Sequence, residues 1–75
     1  MSFLSFNSHN PLDDIPRVLD LMRTMSFHLD ELKVLPNANQ SFCIEMTCAA
    51  NGRINAHTLK HRIGKLQGIE KFHFV

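Results

Sequence analysis

Arg17-Val18-Leu19-Asp20-Leu21-Met22-Arg23-Thr24-Met25-Ser26-Phe27-His28-Leu29-Asp30-Glu31-Leu32-Lys33-Val34 is the stretch on which the fold turns. Through Met25 the apolar residues recur at helical spacing: Ile15, Val18, Leu19, Met22 and Met25 form one stripe, with Leu21 on its flank. Arg17, Asp20 and Thr24 then face water. After Ser26 the period changes to two, as in a strand. Phe27 and Leu29 share one parity, and Leu32 and Val34 share the other. The switch falls at Asp30-Glu31, where one extra residue in a β-bulge restores a single apolar face. An amphipathic helix therefore passes, through one small residue, directly into a strand anchored by Phe27.

Upstream of this stretch, residues 3 to 7 alternate as a short strand, with Leu4 and Phe6 on one face and Phe3, Ser5 and Asn7 on the other. Ser8 to Leu12 reads as a loop. Pro16 is best tolerated in the first turn of a helix, so the helix is predicted to start near Asp13 or Asp14 and not at Asn10, with either acid as its cap. Downstream, Leu35-Pro36-Asn37-Ala38-Asn39 carries turn chemistry between antiparallel strands. Phe42, Ile44, Met46 and Cys48 alternate with Cys43, Glu45 and Thr47 in the cleanest strand of the chain, and Asn51-Gly52 is predicted to end it. Asn55 is suited to cap a second helix with an inward stripe of Ala56, Leu59, Ile63 and Leu66. Gly68 is predicted to stop that helix, with Ile69 as its hydrophobic lock. Residues 69 to 75 form the last strand. The order βαββαβ predicts a ferredoxin-like α+β sandwich: a four-stranded antiparallel sheet with two helices on one face.

The chain has 75 residues and a formal net charge of +1, enough for one domain over residues 1–75 with a small core. Such a balance supplies no electrostatic drive toward nucleic acid or an anionic membrane. No apolar run is long enough to span a bilayer. Cys43 and Cys48 fall on opposite faces of one strand and so are read as two reduced, packed thiols of a cytoplasmic protein.

Each candidate for chemistry has a plainer reading. His57 and His61 stand four apart on the second helix, a spacing that suits a metal ion. They lie away from the Leu59, Ile63 and Leu66 stripe and lack a third ligand, so a solvated face is expected. Ferredoxin-like RNA binders stack bases on aromatics of the open sheet face. Here that face is predicted to carry Ser5, Cys43, Glu45 and Thr47, with Phe3 alone aromatic, and the central carboxylate opposes phosphate. His57, Lys60, His61, Arg62 and Lys65 give the second helix a basic edge, read as solvated. Asp13 and Asp14 are adjacent acids, expected to serve the helix start. Ser5, Ser8 and Ser26 have no evident base, so no catalytic residue is expected.

The residues from Asn10 to Val34 carry a family resemblance. Asn10, the Ile15-x-Arg17-Val18-Leu19 run, Phe27 and the Leu29-x-x-Leu32-x-Val34 spacing resemble the first helix and second strand of ACT domains, most closely those of acetolactate synthase small subunits. Ile44-Glu45-Met46-Thr47 resembles the third strand of the short, single-domain version, and Leu66-Gln67-Gly68-Ile69 its last helix-to-strand step. The resemblance implies a non-catalytic regulatory subunit that dimerises edge to edge and docks on a catalytic large subunit in branched-chain amino-acid biosynthesis. That partner carries thiamine diphosphate, flavin and magnesium; no cofactor or metal is expected here. It also implies an amino-acid effector site in the loop before the first helix, over Asn10, Leu12, Asp13, Asp14 and Ile15. The family pattern there is Asn-x-x-Gly-x-Leu, and Asp13 stands at the glycine position. A carboxylate at that point crowds and repels the effector's own carboxylate, which predicts weak binding. Two other roles fit the same fold: a free-standing amino-acid sensor regulating another enzyme, and a ligand-free self-associating module.

Overall fold

The computed structural model describes residues 2–50 and 56–75. Its order is β1 (Ser2–Ser8), α1 (Pro11–Thr24), β2 (Phe27–Pro36), β3 (Phe42–Ala50), α2 (Ala56–Gly64) and β4 (Glu70–Phe74). The strands form one antiparallel sheet in the order β2-β3-β1-β4. This is the expected ferredoxin-like α+β sandwich, with β1 and β3 central. Asn51-Gly52, expected to end β3, and Asn55, the expected cap of α2, lie outside the described residues.

Pairing across the sheet sorts the side chains by face. Leu4 sits opposite Met46 and Phe6 opposite Ile44 on the helix side. Phe3 opposite Thr47 and Ser5 opposite Glu45 occupy the open side, as the alternation predicts. Val18 and Met22 from α1 and Leu59 and Ile63 from α2 close the core above Leu4, Phe6, Ile44, Met46 and Cys48. Ala56 and Leu66 pack at its margin.

The bulge is present. Leu29 pairs with Cys48 and Glu31 with Thr47, which leaves Asp30 as the extra residue. Beyond it, Leu32 faces Met46 and Val34 faces Ile44, so both parities of β2 end on the helix side. Ser26 takes a left-handed conformation, φ 57°, between α1 and β2. Its N–H donates to the Arg23 carbonyl at 3.1 Å, and Phe27 then enters the core. A residue with no branch at Cβ tolerates this conformation better than a bulky one.

Two expected boundaries move. Helix α1 begins at Pro11, not at Asp13 or Asp14, and Asn10 is its N-cap residue. The Asn10 carbonyl accepts from the Asp13 and Asp14 N–H groups at 3.0 and 2.9 Å, while its side chain makes no capping bond. Pro11 suits the first helical position, because the donor it lacks is unpaired there anyway. Pro16 consequently lies inside the helix. The carbonyl it leaves unbonded is that of Leu12, a residue 91% exposed, so water can take that bond. At the other end α2 stops at Gly64, and a tight turn follows in which Lys65 and Leu66 donate to the Arg62 and Ile63 carbonyls. Gly68 has the expected positive φ, 88°, yet it shapes the connector to β4 and does not terminate the helix.

Both thiols are free. Cys48 is fully buried on the helix side, and Cys43 is half-buried. Burial pushes the Cys48 thiol up, and the Asp30 carboxylate adds to the effect. A thiol held protonated and covered is a weak nucleophile, which suits packing.

Strand β2 outreaches the helices. Ten residues of strand span roughly 33 Å, whereas the fourteen of α1 span roughly 21 Å. The molecule is accordingly 39 Å long and only 22 by 19 Å across. Leu29, Leu32 and Val34 point to the helix side but remain about two-fifths exposed on this edge strand.

Candidate functional site

The β1–α1 connection passes beside the α2–β4 connector. Between them lies an open cleft of about 530 Å³, lined by His9, Asn10, Asp13, Asp14, Arg17, Gln67, Gly68 and Glu70. At its base is a polar cluster. Ser8 follows Leu4 and Phe6 on the inner parity of β1 and is fully buried. Its hydroxyl donates to Asp14 Oδ2 at 2.5 Å, and it accepts from the Asn10 N–H at 3.0 Å. Asp14, only 5% exposed, takes a second bond at Oδ1 from Arg17 Nη1 at 3.1 Å. The same Nη1 also donates to the Gln67 carbonyl at 2.9 Å. One arginine thus ties α1 to the α2–β4 connector, and a buried carboxylate is satisfied on both oxygens.

Gly68 closes this cluster from the other side. A Cβ built there would lie 3.4 Å from both Asp14 carboxylate oxygens, at a φ of 88° that side chains rarely adopt. Backbone approaches carboxylate here because the position is glycine. At the rim, His9 Nε2 stands 3.5 Å from Glu70 Oε1, both exposed.

Each residue of the expected effector site can now be placed. Asn10, Asp13 and Asp14 line the cleft. Leu12 and Ile15 line an apolar groove with Pro11, Pro16 and Val34, and Leu12 also shares an adjoining hollow with Asn10, Asp13 and Phe42. The five residues therefore do not converge on one pocket. Asp14, expected to serve the helix start, is a buried member of the polar cluster. Its spacing to Val18 and Met22, four and eight residues on, places it on the inner stripe. That spacing and the parity of Ser8 were the available signals.

The cleft is poorly suited to a carboxylate. Pro11 has no N–H, and those of Asp13 and Asp14 already donate to Asn10. The first turn has little left to give an anion. Asp13 and Glu70 add negative charge at the wall, and Arg17 is engaged by Asp14 and Gln67. Wild-type protein is therefore expected to bind valine, leucine and isoleucine weakly or not at all. Asp13→Gly removes one repelling charge and should bind better in calorimetric titration. Tighter binding to the wild type than to this variant would assign Asp13 a role in holding the ligand's ammonium group.

Among the described residues, no three His, Cys, Asp or Glu side chains gather as metal ligands, and no helix is long and apolar enough to cross a membrane.

Comparison with known proteins addresses the fold. No family model matches the chain. No curated protein matches it either. Among solved structures, it is similar to the C-terminal domain of the MgtC protein from Mycobacterium tuberculosis: TM-score 0.79, 9% identity, 99% of this chain and 83% of that one covered. It is also similar to the ACT domain from the GTP pyrophosphokinase of Chlorobium tepidum, with a TM-score of 0.70, 9% identity, and 99% and 95% coverage. The described residues thus have an ACT-like fold.

Proposed function

We propose that this chain is a non-catalytic regulatory or stabilising subunit, the small subunit of an acetolactate synthase. In this reading it dimerises and docks on the catalytic large subunit. The observation that carries the proposal is the row of Leu29, Leu32 and Val34, left about two-fifths exposed along β2. Leu12 and Ile15 of α1 extend this surface around the groove that Val34 also lines. A free sheet edge flanked by apolar side chains is a surface that a second chain completes. The sequence resemblance from Asn10 to Val34, which spans this surface, supports the choice of enzyme.

The same edge suits a second copy of the chain. A two-fold axis through Leu32 sets Glu31 of each copy opposite Lys33 of the other, giving two opposite-charge pairs on the open face. In the single chain, Lys33 Nζ and Glu31 Oε1 lie 3.7 Å apart and both side chains are more than half exposed, so they are free to exchange partners. Light scattering at about 100 μM should show a dimer, a concentration set by the weak end of specific affinities. Lys33→Glu should weaken it by about tenfold, by setting acid against acid twice. The Glu31→Lys/Lys33→Glu double variant should restore it. A strict monomer at that concentration counts against the dimer. Copurification from native cells tests the larger claim: recovery of a thiamine-dependent large subunit supports it, and its absence favours another partner.

A second reading, a free-standing amino-acid sensor, draws on the cleft beside Asn10 and Asp13. Calorimetry on the Asp13 pair of proteins separates it from the first.

A further inference from the structure

A second groove, about 380 Å³, runs between α2 and β4 on the far side of the molecule from the β2 edge. His57, Lys60, His61 and Gly64 fall on one side of α2 by their spacing of three, four and seven, and Lys65 extends the row into the turn. Phe72 of β4 forms the opposite wall. From Ala56 to Ile69 the chain holds no aspartate or glutamate, and none lines the groove. Positive charge is thus concentrated here, while Asp13, Asp14 and Glu70 line the other cleft. A helix C-terminus accounts for the basic residues His61 and Arg62 in its last turn. It does not account for Lys60 and Lys65 lining one groove with an aromatic ring.

Gly64 gives that ring its access. A Cβ there would sit 4.0 Å from Phe72 Cδ2, an ordinary contact, so a longer side chain would cover the ring. The Phe72 ring is itself held edge-on by Phe74, centroids 6.3 Å apart at 70°. Fixed aromatic surface beside mobile ammonium groups suits a ligand with one flat part and one strongly anionic part. We infer that the α2–β4 groove binds a small phosphorylated compound carrying a planar ring, in class a nucleoside monophosphate. The lysines hold the phosphate and Phe72 packs against the ring. The size of the groove falls within the usual range for small-molecule sites. This inference is independent of the regulatory reading above.

The test is titration of the full chain with adenosine monophosphate, followed by calorimetry and by amide chemical shifts. Adenosine and inorganic phosphate serve as partial probes. Adenosine monophosphate should bind, shift the Lys60, Gly64 and Phe72 amides, and bind at least about tenfold tighter than either partial probe. Lys60→Glu/Lys65→Glu should weaken it by about tenfold or more, since exposed cations become acids. Gly64→Leu should reduce the affinity for adenosine monophosphate to that for phosphate alone. Circular dichroism of both variants should match the wild type; if one unfolds, the other and the amide shifts carry the test. No binding, equal affinity for phosphate and adenosine monophosphate, or shifts confined to the β1–α1 cleft would overturn the assignment.

Discussion

Ile44→Ala is expected to lower the unfolding free energy by about 2–5 kcal/mol. Ile44 is 0% exposed on the central strand β3, between Phe6 on β1 and Val34 on β2. Truncation removes three carbons from the layer under both helices, and neighbours held by strand pairing can collapse into the void only in part. A domain of this size seldom has more than about 3–5 kcal/mol in total from its core, so the alanine variant should be largely unfolded at room temperature. Ile44→Val keeps most of the volume and should cost about 0.5–1.5 kcal/mol, which urea denaturation can measure directly. A loss below about 1 kcal/mol for alanine would contradict the placement of Ile44 at the centre of the core.

Asp14→Ala should be the most damaging change outside the apolar core, at about 1.5–3 kcal/mol. The Ser8 hydroxyl would lose its charged acceptor while remaining fully buried. Arg17 would keep the Gln67 carbonyl, and because its side chain is 43% exposed water can replace the carboxylate on that side. Most of the cost therefore falls on the Ser8 bond and not on the ion pair. Asp14→Asn retains an oxygen that can accept from Ser8 and should cost less. Equal losses for the two variants, measured by urea denaturation, would mean that charge and not the hydrogen bond to Ser8 is decisive.

The parts of the structure readable in advance were those set by periodicity. Phe42, Ile44, Met46 and Cys48 alternate without interruption, and the parity switch at Asp30-Glu31 marks a bulge because only an extra residue reconciles Leu29 with Leu32. The start of α1 was misplaced because Pro11 and Pro16 compete for the same role. Only the three-dimensional setting shows that the Leu12 carbonyl is open to water and that Pro16 is tolerable inside the helix. The early end of α2 depends on a turn, Arg62 to Leu66, whose apolar spacing is the same as that of a continuing helix. The Ser8–Asp14–Arg17–Gln67 cluster was missed for a different reason. Its members are polar and separated by as many as 59 positions, and polar residues near a helix start ordinarily serve as caps. Their inner-face spacing was present, but it requires a buried carboxylate, which is acceptable only once all its partners are known.

The unpaired Asp30 of β2 bears on how this chain can change length. Deleting a residue from a strand ordinarily turns every side chain beyond the cut to the opposite face. Here Leu29 already pairs with Cys48 and Glu31 with Thr47, neighbours on β3, so loss of Asp30 would leave a regular ladder with Phe27, Leu29, Leu32 and Val34 still facing the helices. Loss of Lys33 would instead send Leu32 and Val34 to opposite sides of the sheet. Within one strand, then, a single position is open to deletion while its neighbours are closed to it. Related chains that differ by one residue between Phe27 and Pro36 are expected to differ at Asp30.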